Sequence, residues 1–144
     1  MSVKLKIFLS KELPREIRFI NKLILHCSDS DNPDHDNIET IRRWHVEERG
    51  FVDVGYHFFI RKDGTVEEGR PIQLMGAHCA NHNLRSIGIC LGGKHQFTDI
   101  QFNAAKKLCE ALIYRFKIKK SEIYPHSHFN RNKSCPNFNL DKIM

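Results

Sequence analysis

Helix-spaced stretches that carry their own start signals alternate with short apolar runs along this chain, and that interleaving confines it to a mixed α/β fold. The first apolar run, Leu23-Ile24-Leu25, closes the segment Arg18 to Ser28 and suits a buried strand. A polar loop containing Pro33 follows from Asp29 to Asp36. Asp36 with Glu39 makes a capping box, Ile38, Ile41, Trp44 and Glu48 recur at helical spacing, and Gly50 can end the helix, which predicts a helix from about 37 to 49. Phe58 to Lys62 and Thr65 to Glu68 flank Asp63-Gly64 and read as a hairpin closed by a type I′ turn. Ile87 to Leu91 is a further strand, stopped by Gly92-Gly93. Thr98 with Gln101 then caps a second helix, whose Phe102, Ala105, Cys109, Leu112 and Phe116 form one apolar stripe.

At 144 residues the chain fits a single domain. Its net charge of +6 is concentrated at the two ends, while the middle of the chain is slightly acidic. Such a balance favours approach to nucleic acid, anionic lipid or an acidic wall polymer without choosing among them. Interleaved aromatics and known nucleic-acid motifs are missing, so no nucleic-acid partner is expected. No apolar run approaches the roughly 18 residues that span a bilayer, and Lys11 cuts Ile7-Phe8-Leu9 short of an export signal. A cytoplasmic protein without membrane insertion is therefore expected. Cysteines at 27, 79, 90, 109 and 135 are odd in number and form no CxxC, which favours a reduced compartment with functional thiols over a disulfide framework.

Nine histidines are present, and three places combine them with other candidate ligands: His26-Cys27, His78, and His126-Ser127-His128 followed by Cys135. Neighbours on a strand face opposite ways, so His26 and Cys27 are not expected to share a site. With Leu23, Leu25 and Cys27 on one face, the thiol is buried and His26 turns the other way. A strand histidine, a second histidine from the late loop and Cys135 would supply two nitrogens and one sulfur, a set that suits zinc and leaves a fourth position for water. Plainer readings cover the rest. His57 faces away from Tyr56 and reads as a satisfied structural residue, His45 and Trp44 as helix packing, and His35, His82 and His95 as solvated.

The segments Ile41-Arg42-Arg43-Trp44-His45, Gly50 to Ile60 with its Gly55-Tyr56-His57, and Asp63-Gly64-Thr65-Val66-Glu67-Glu68-Gly69-Arg70 resemble the central signature of the zinc-dependent type 2 N-acetylmuramoyl-L-alanine amidases. Short phage endolysins and animal peptidoglycan recognition proteins make up this family. The likeness continues through Gly76-Ala77-His78, Asn83, Ser86-Ile87-Gly88-Ile89 and Lys133-Ser134-Cys135-Pro136. It implies an amidase domain over residues 18–144, with residues 1–17 left as an N-terminal extension, and a central mixed sheet flanked by helices with a zinc site in a surface groove.

Carried over by position, the resemblance makes His26, His126 and Cys135 the zinc ligands and Tyr56 and Lys133 the catalytic groups. His78 and Asn83 would face the muramyl-peptide groove. It implies a monomer that cleaves the bond between the lactyl group of muramic acid and L-alanine in bacterial peptidoglycan, as an endolysin released to the wall. A non-catalytic recognition module is the alternative. The late loop departs from the family spacing by one residue. If residues 126–128 are extended, His126 and His128 point the same way; His126 is chosen because it precedes Phe129 by three, and Asn130-Arg131-Asn132 can absorb the insertion.

Overall fold

Side-chain alternation on the central strands sorts the interior into two clusters, one under each helix. The computed structural model describes residues 18–144, so the extension expected over residues 1–17 lies outside the described residues. Five strands, β1 (Lys22–Cys27), β2 (Phe58–Ile60), β3 (Val66–Glu68), β4 (Ser86–Leu91) and β5 (Ile123–Pro125), form one sheet in the order β3-β2-β4-β1-β5. Only the β2–β3 pair is antiparallel. Leu23 and Leu25 of β1, Phe58 and Ile60 of β2, and Ile87, Ile89 and Leu91 of β4 pack with Ala105, Leu108, Cys109 and Leu112 of the long helix α2 (Asp99–Phe116). The intervening residues Phe59 and Cys90 face the other way and meet Ile38 and Ile41 of the short helix α1 (Ile38–Arg43). Each fully buried Leu, Ile or Phe contributes about 1.5–3 kcal/mol. His26 alternates with Leu25, so it emerges on the α1 side.

The start of α1 differs from the expected capping box. Asn37, not Asp36, accepts the Thr40 N–H at 2.8 Å. The Asp36 carboxylate instead accepts the backbone N–H of Lys62 at 3.1 Å, tying the loop before α1 to the end of β2. After Arg43 the backbone widens into a π turn over Trp44–Glu48, closed by an Arg49 N–H to Trp44 carbonyl bond of 3.2 Å, and Gly50 (φ +71°) stops it as expected. Gly64 has φ +86°, but Asp63 is absent from the left-handed region. Gly64 N–H bonds the Arg61 carbonyl and Arg61 N–H the Thr65 carbonyl, each at 2.9 Å. The hairpin therefore closes with a three-residue loop and a glycine bulge rather than a type I′ turn. The Thr98–Gln101 capping box of α2 forms as read. Strand β5 was not anticipated: it is three residues long, ends in Pro125 and lies at the sheet edge, where proline is tolerated.

Candidate metal centre

Neighbouring parallel strands bring their carboxyl ends together, and here that rule brings two histidines together. Leu25 of β1 pairs with Pro125 of β5, so the next residues, His26 and His126, stand side by side with ring centroids 4.5 Å apart. The following loop returns Cys135 to the same place. Ser127 N–H bonds the Cys135 carbonyl at 3.0 Å, and Cys27 N–H donates to the Cys135 Sγ at 3.1 Å. One donor atom from each of His26, His126 and Cys135 lies within 4.8 Å of the others. Residues 126–128 form a 3₁₀ turn rather than an extended segment. His128 is consequently exposed and packs on Tyr124, with ring centroids 4.7 Å apart, away from the cluster.

Cys27 departs from simple alternation. It is buried, as expected, but β1 ends there and the chain turns at Asp29 (φ +61°), so Cys27 lines the same groove as His126 and Cys135.

Burial, then the neighbouring His78, His126 and His45, hold His26 well below its ordinary pKa. Burial, then the charge of Lys133, lowers His126. Both rings are neutral at physiological pH, the form in which imidazole binds a metal. The contact with Cys27, then burial, pushes the Cys135 thiol far up. A thiolate at this position therefore calls for a cation beside it. Two neutral imidazoles and a cysteine that needs a counter-charge are a donor set that fits zinc.

The groove beside this cluster has a volume of about 600 Å³; His126 and Cys135 line it, with Trp44, His45, Arg49, Tyr56, Asn83 and Lys133, while His26 is buried. Tyr56 packs its ring 4.9 Å from that of His26. Burial and the surrounding thiols of Cys90, Cys135 and Cys27 raise its phenol well above the usual range, so it is a proton donor at neutral pH. Lys133 is exposed at the rim. Asn83 lines the groove, but its Oδ1 is taken by the backbone N–H groups of His78 and Cys79, both at 2.9 Å. His78 also lines it, yet both ring nitrogens have partners inside the protein: Nδ1 lies 2.8 Å from His26 Nε2, and Nε2 lies 3.3 Å from Ser86 Oγ. What these two residues offer the groove is thus the Asn83 amide nitrogen and a carbon edge of the His78 imidazole.

The π turn brings His45 into the same wall. It is buried, and its Nδ1 accepts the Gly55 N–H at 2.8 Å. Sequence reasoning placed it only in helix packing, because helical periodicity does not foresee a π turn. His57 is satisfied, as expected, accepting the Gly88 N–H at 3.1 Å and bonding the Leu74 carbonyl at 2.9 Å. His95 is exposed. His35 and His82 are only partly so: His35 bonds Ser30 Oγ at 2.7 Å, and His82 stacks on Phe129 at 4.1 Å between centroids. Ser86 falls within the family likeness, but the sequence assigns it no role. The pattern that could have found it is its place two residues before Gly88 on one face of β4.

Sheet, helices and groove together define an α/β protein built around a candidate two-histidine, one-cysteine centre. The family model described as N-acetylmuramoyl-L-alanine amidase matches residues 16–138. The endolysin of Enterobacteria phage K11 is 36% identical over 130 residues, covering 85% of this chain and 83% of that protein. Peptidoglycan-recognition protein SC2 of Drosophila melanogaster is 36% identical over 107 residues, covering 72% and 58%. Among solved structures, the N-acetylmuramoyl-L-alanine amidase LysC from Clostridium intestinale superposes with a TM-score of 0.78 at 29% identity, covering 88% of this chain and 83% of its own. The chain belongs to the N-acetylmuramoyl-L-alanine amidase family. It is a peptidoglycan hydrolase of the amidase type.

Proposed function

We propose that the chain is a zinc-dependent endolysin that cuts the bond between the lactyl group of N-acetylmuramic acid and L-alanine, with His26, His126 and Cys135 holding the metal. The observation that carries this reading is the convergence of those three donors within 4.8 Å, two of them, His126 and Cys135, lining a groove that Tyr56 and Lys133 also line. When bound, zinc supplies Lewis acidity and a water whose pKa falls to about 7.

The chain's own groups supply the rest. Attack on an amide carbonyl develops negative charge on its oxygen. Tyr56, kept protonated by its surroundings, donates a hydrogen bond there, a contribution of about 2.7–4 kcal/mol if it acts like an oxyanion-hole donor. Lys133 adds a positive charge at the rim and protonates the departing amine. The groove walls, with Trp44 and Asn83, orient the muramyl peptide. The protein acts as a monomer, accumulates in the cytoplasm and reaches the wall after release.

Digestion of purified walls tests the reading. Stem peptides beginning with L-alanine should be released, without new reducing sugar, and a chelator should stop the release. Binding to walls without release would return the recognition-module alternative.

A further inference from the structure

We propose that Ser86 is a positioning residue that, through His78, decides which ring nitrogen of His26 is free for the metal. The consequence for metal binding rests on the zinc reading above, whereas the hydrogen-bond chain itself does not. Ser86 begins β4 and is fully buried. Its hydroxyl lies 2.7 Å from the His82 carbonyl, which can only accept, so the hydroxyl proton is committed there. Toward His78 Nε2, 3.3 Å away, Oγ then presents a lone pair, and Nε2 must carry the ring proton. In that tautomer His78 Nδ1 is an acceptor. His26 Nε2, at 2.8 Å, therefore donates to it. The remaining nitrogen of His26, Nδ1, keeps its lone pair and is the one left for a metal. One backbone carbonyl thus sets the proton positions of two rings in series.

The local sequence builds this chain of contacts. Residues 86, 88 and 90 share the face of β4 opposite Ile87, Ile89 and Leu91. Ser86 supplies the acceptor, and Gly88 supplies the space: a Cβ there would lie 2.6 Å from the His78 ring. Asn83 fixes the His78 backbone N–H at 2.9 Å. Arg18 holds the Ser86 carbonyl at 2.8 Å while bonding the carbonyls of Ile72, Asn83 and Leu84. The connection between β3 and β4, which has no regular structure, is thereby pinned where it must carry His78 onto His26.

The test combines imidazole nitrogen NMR of the metal-free protein with zinc affinity measured by competition against a chromogenic chelator. In the wild type, His26 and His78 should both be protonated at Nε2. Ser86→Ala should convert His26 to a mixture of tautomers and weaken zinc binding about 10–100-fold, the usual range for losing an outer-shell partner; Ser86→Thr, which keeps the hydroxyl, should restore both. Zinc affinity within twofold of wild type in Ser86→Ala would overturn the proposal. So would weaker binding with His26 still wholly protonated at Nε2, since that marks general loosening. Should the Ser86 variants not fold, His78→Phe serves instead: it removes the acceptor, and unchanged zinc affinity there overturns the idea equally. A wild type that binds no zinc would defeat the reading of the centre, while its imidazole spectrum would still judge the hydrogen-bond chain.

Discussion

The backbone N–H of Cys27 donates to the Cys135 Sγ at 3.1 Å, so the residue that follows His26 grips the sulfur proposed to share a metal with it. An N–H···S bond favours the thiolate. His26→Ala and Cys135→Ser are each expected to leave a protein that retains its fold but neither zinc nor lytic activity, because two remaining ligands do not hold the ion. Metal content by mass spectrometry, alongside wall digestion, checks this. Stoichiometric zinc in the double variant would remove both residues from the centre.

The late-loop histidines give a sharper contrast. His126 stands against His26, and His128 stacks on Tyr124 in the open. His126→Ala should abolish zinc retention after dialysis, and His128→Ala should keep it near one ion per chain. The opposite pair of results would mean that the loop register is wrong.

Tyr56 and Lys133 separate chemistry from metal binding. Tyr56→Phe keeps the ring and loses only the donor, so zinc content should stay at wild-type level while kcat falls about 10²–10³-fold. Lys133→Ala should also keep zinc and lower kcat, with KM little changed, because its contact strengthens as charge develops. A raised KM at normal kcat would assign either group to ground-state binding.

Stability should depend on pH through buried neutral histidines. Burial above all lowers His57 to about 3, with the charges of Arg18 and Arg70 adding to it. The unfolded ring titrates near 6.5, so between these values only the unfolded chain takes up the proton. The stabilisation is complete above about pH 6.5 and is lost as pH falls, by about 1.4 kcal/mol per unit from this residue. Denaturant midpoints of the metal-free protein at pH 7 and pH 5 should show the loss, and His57→Gln should reduce the slope. An equal slope in the variant would assign the effect to other groups.

Much of the fold could be read from the chain because it follows from local rules. The i, i+2 alternation of Leu23 and Leu25 foretold the face of β1 that turns away from His26, the run Ile87 to Leu91 foretold β4, and the Thr98–Gln101 box foretold the start of α2. The features that escaped depend on partners distant in sequence. Asp36 left the helix cap for the Lys62 N–H, which no local pattern could reveal. Cys27 joined the groove because its strand ends there and Cys135 comes to meet it. The π turn at Trp44 has no signature in helical periodicity, so His45 was read as packing. His126 was singled out by its distance from Phe129, but the 3₁₀ turn that directs His128 elsewhere became visible only in three dimensions.

The hydrogen bond from Cys27 to Cys135 spans 108 residues, and it has a consequence in time as well as space. A ribosome makes His26 early and Cys135 a hundred or so residues later, after every strand of the sheet. The donor set therefore does not exist in any shorter nascent chain, however well its first strands have collapsed. If these three residues hold the metal as proposed, loading must wait until Cys135 has been made and the chain between it and His26 has folded back on β1.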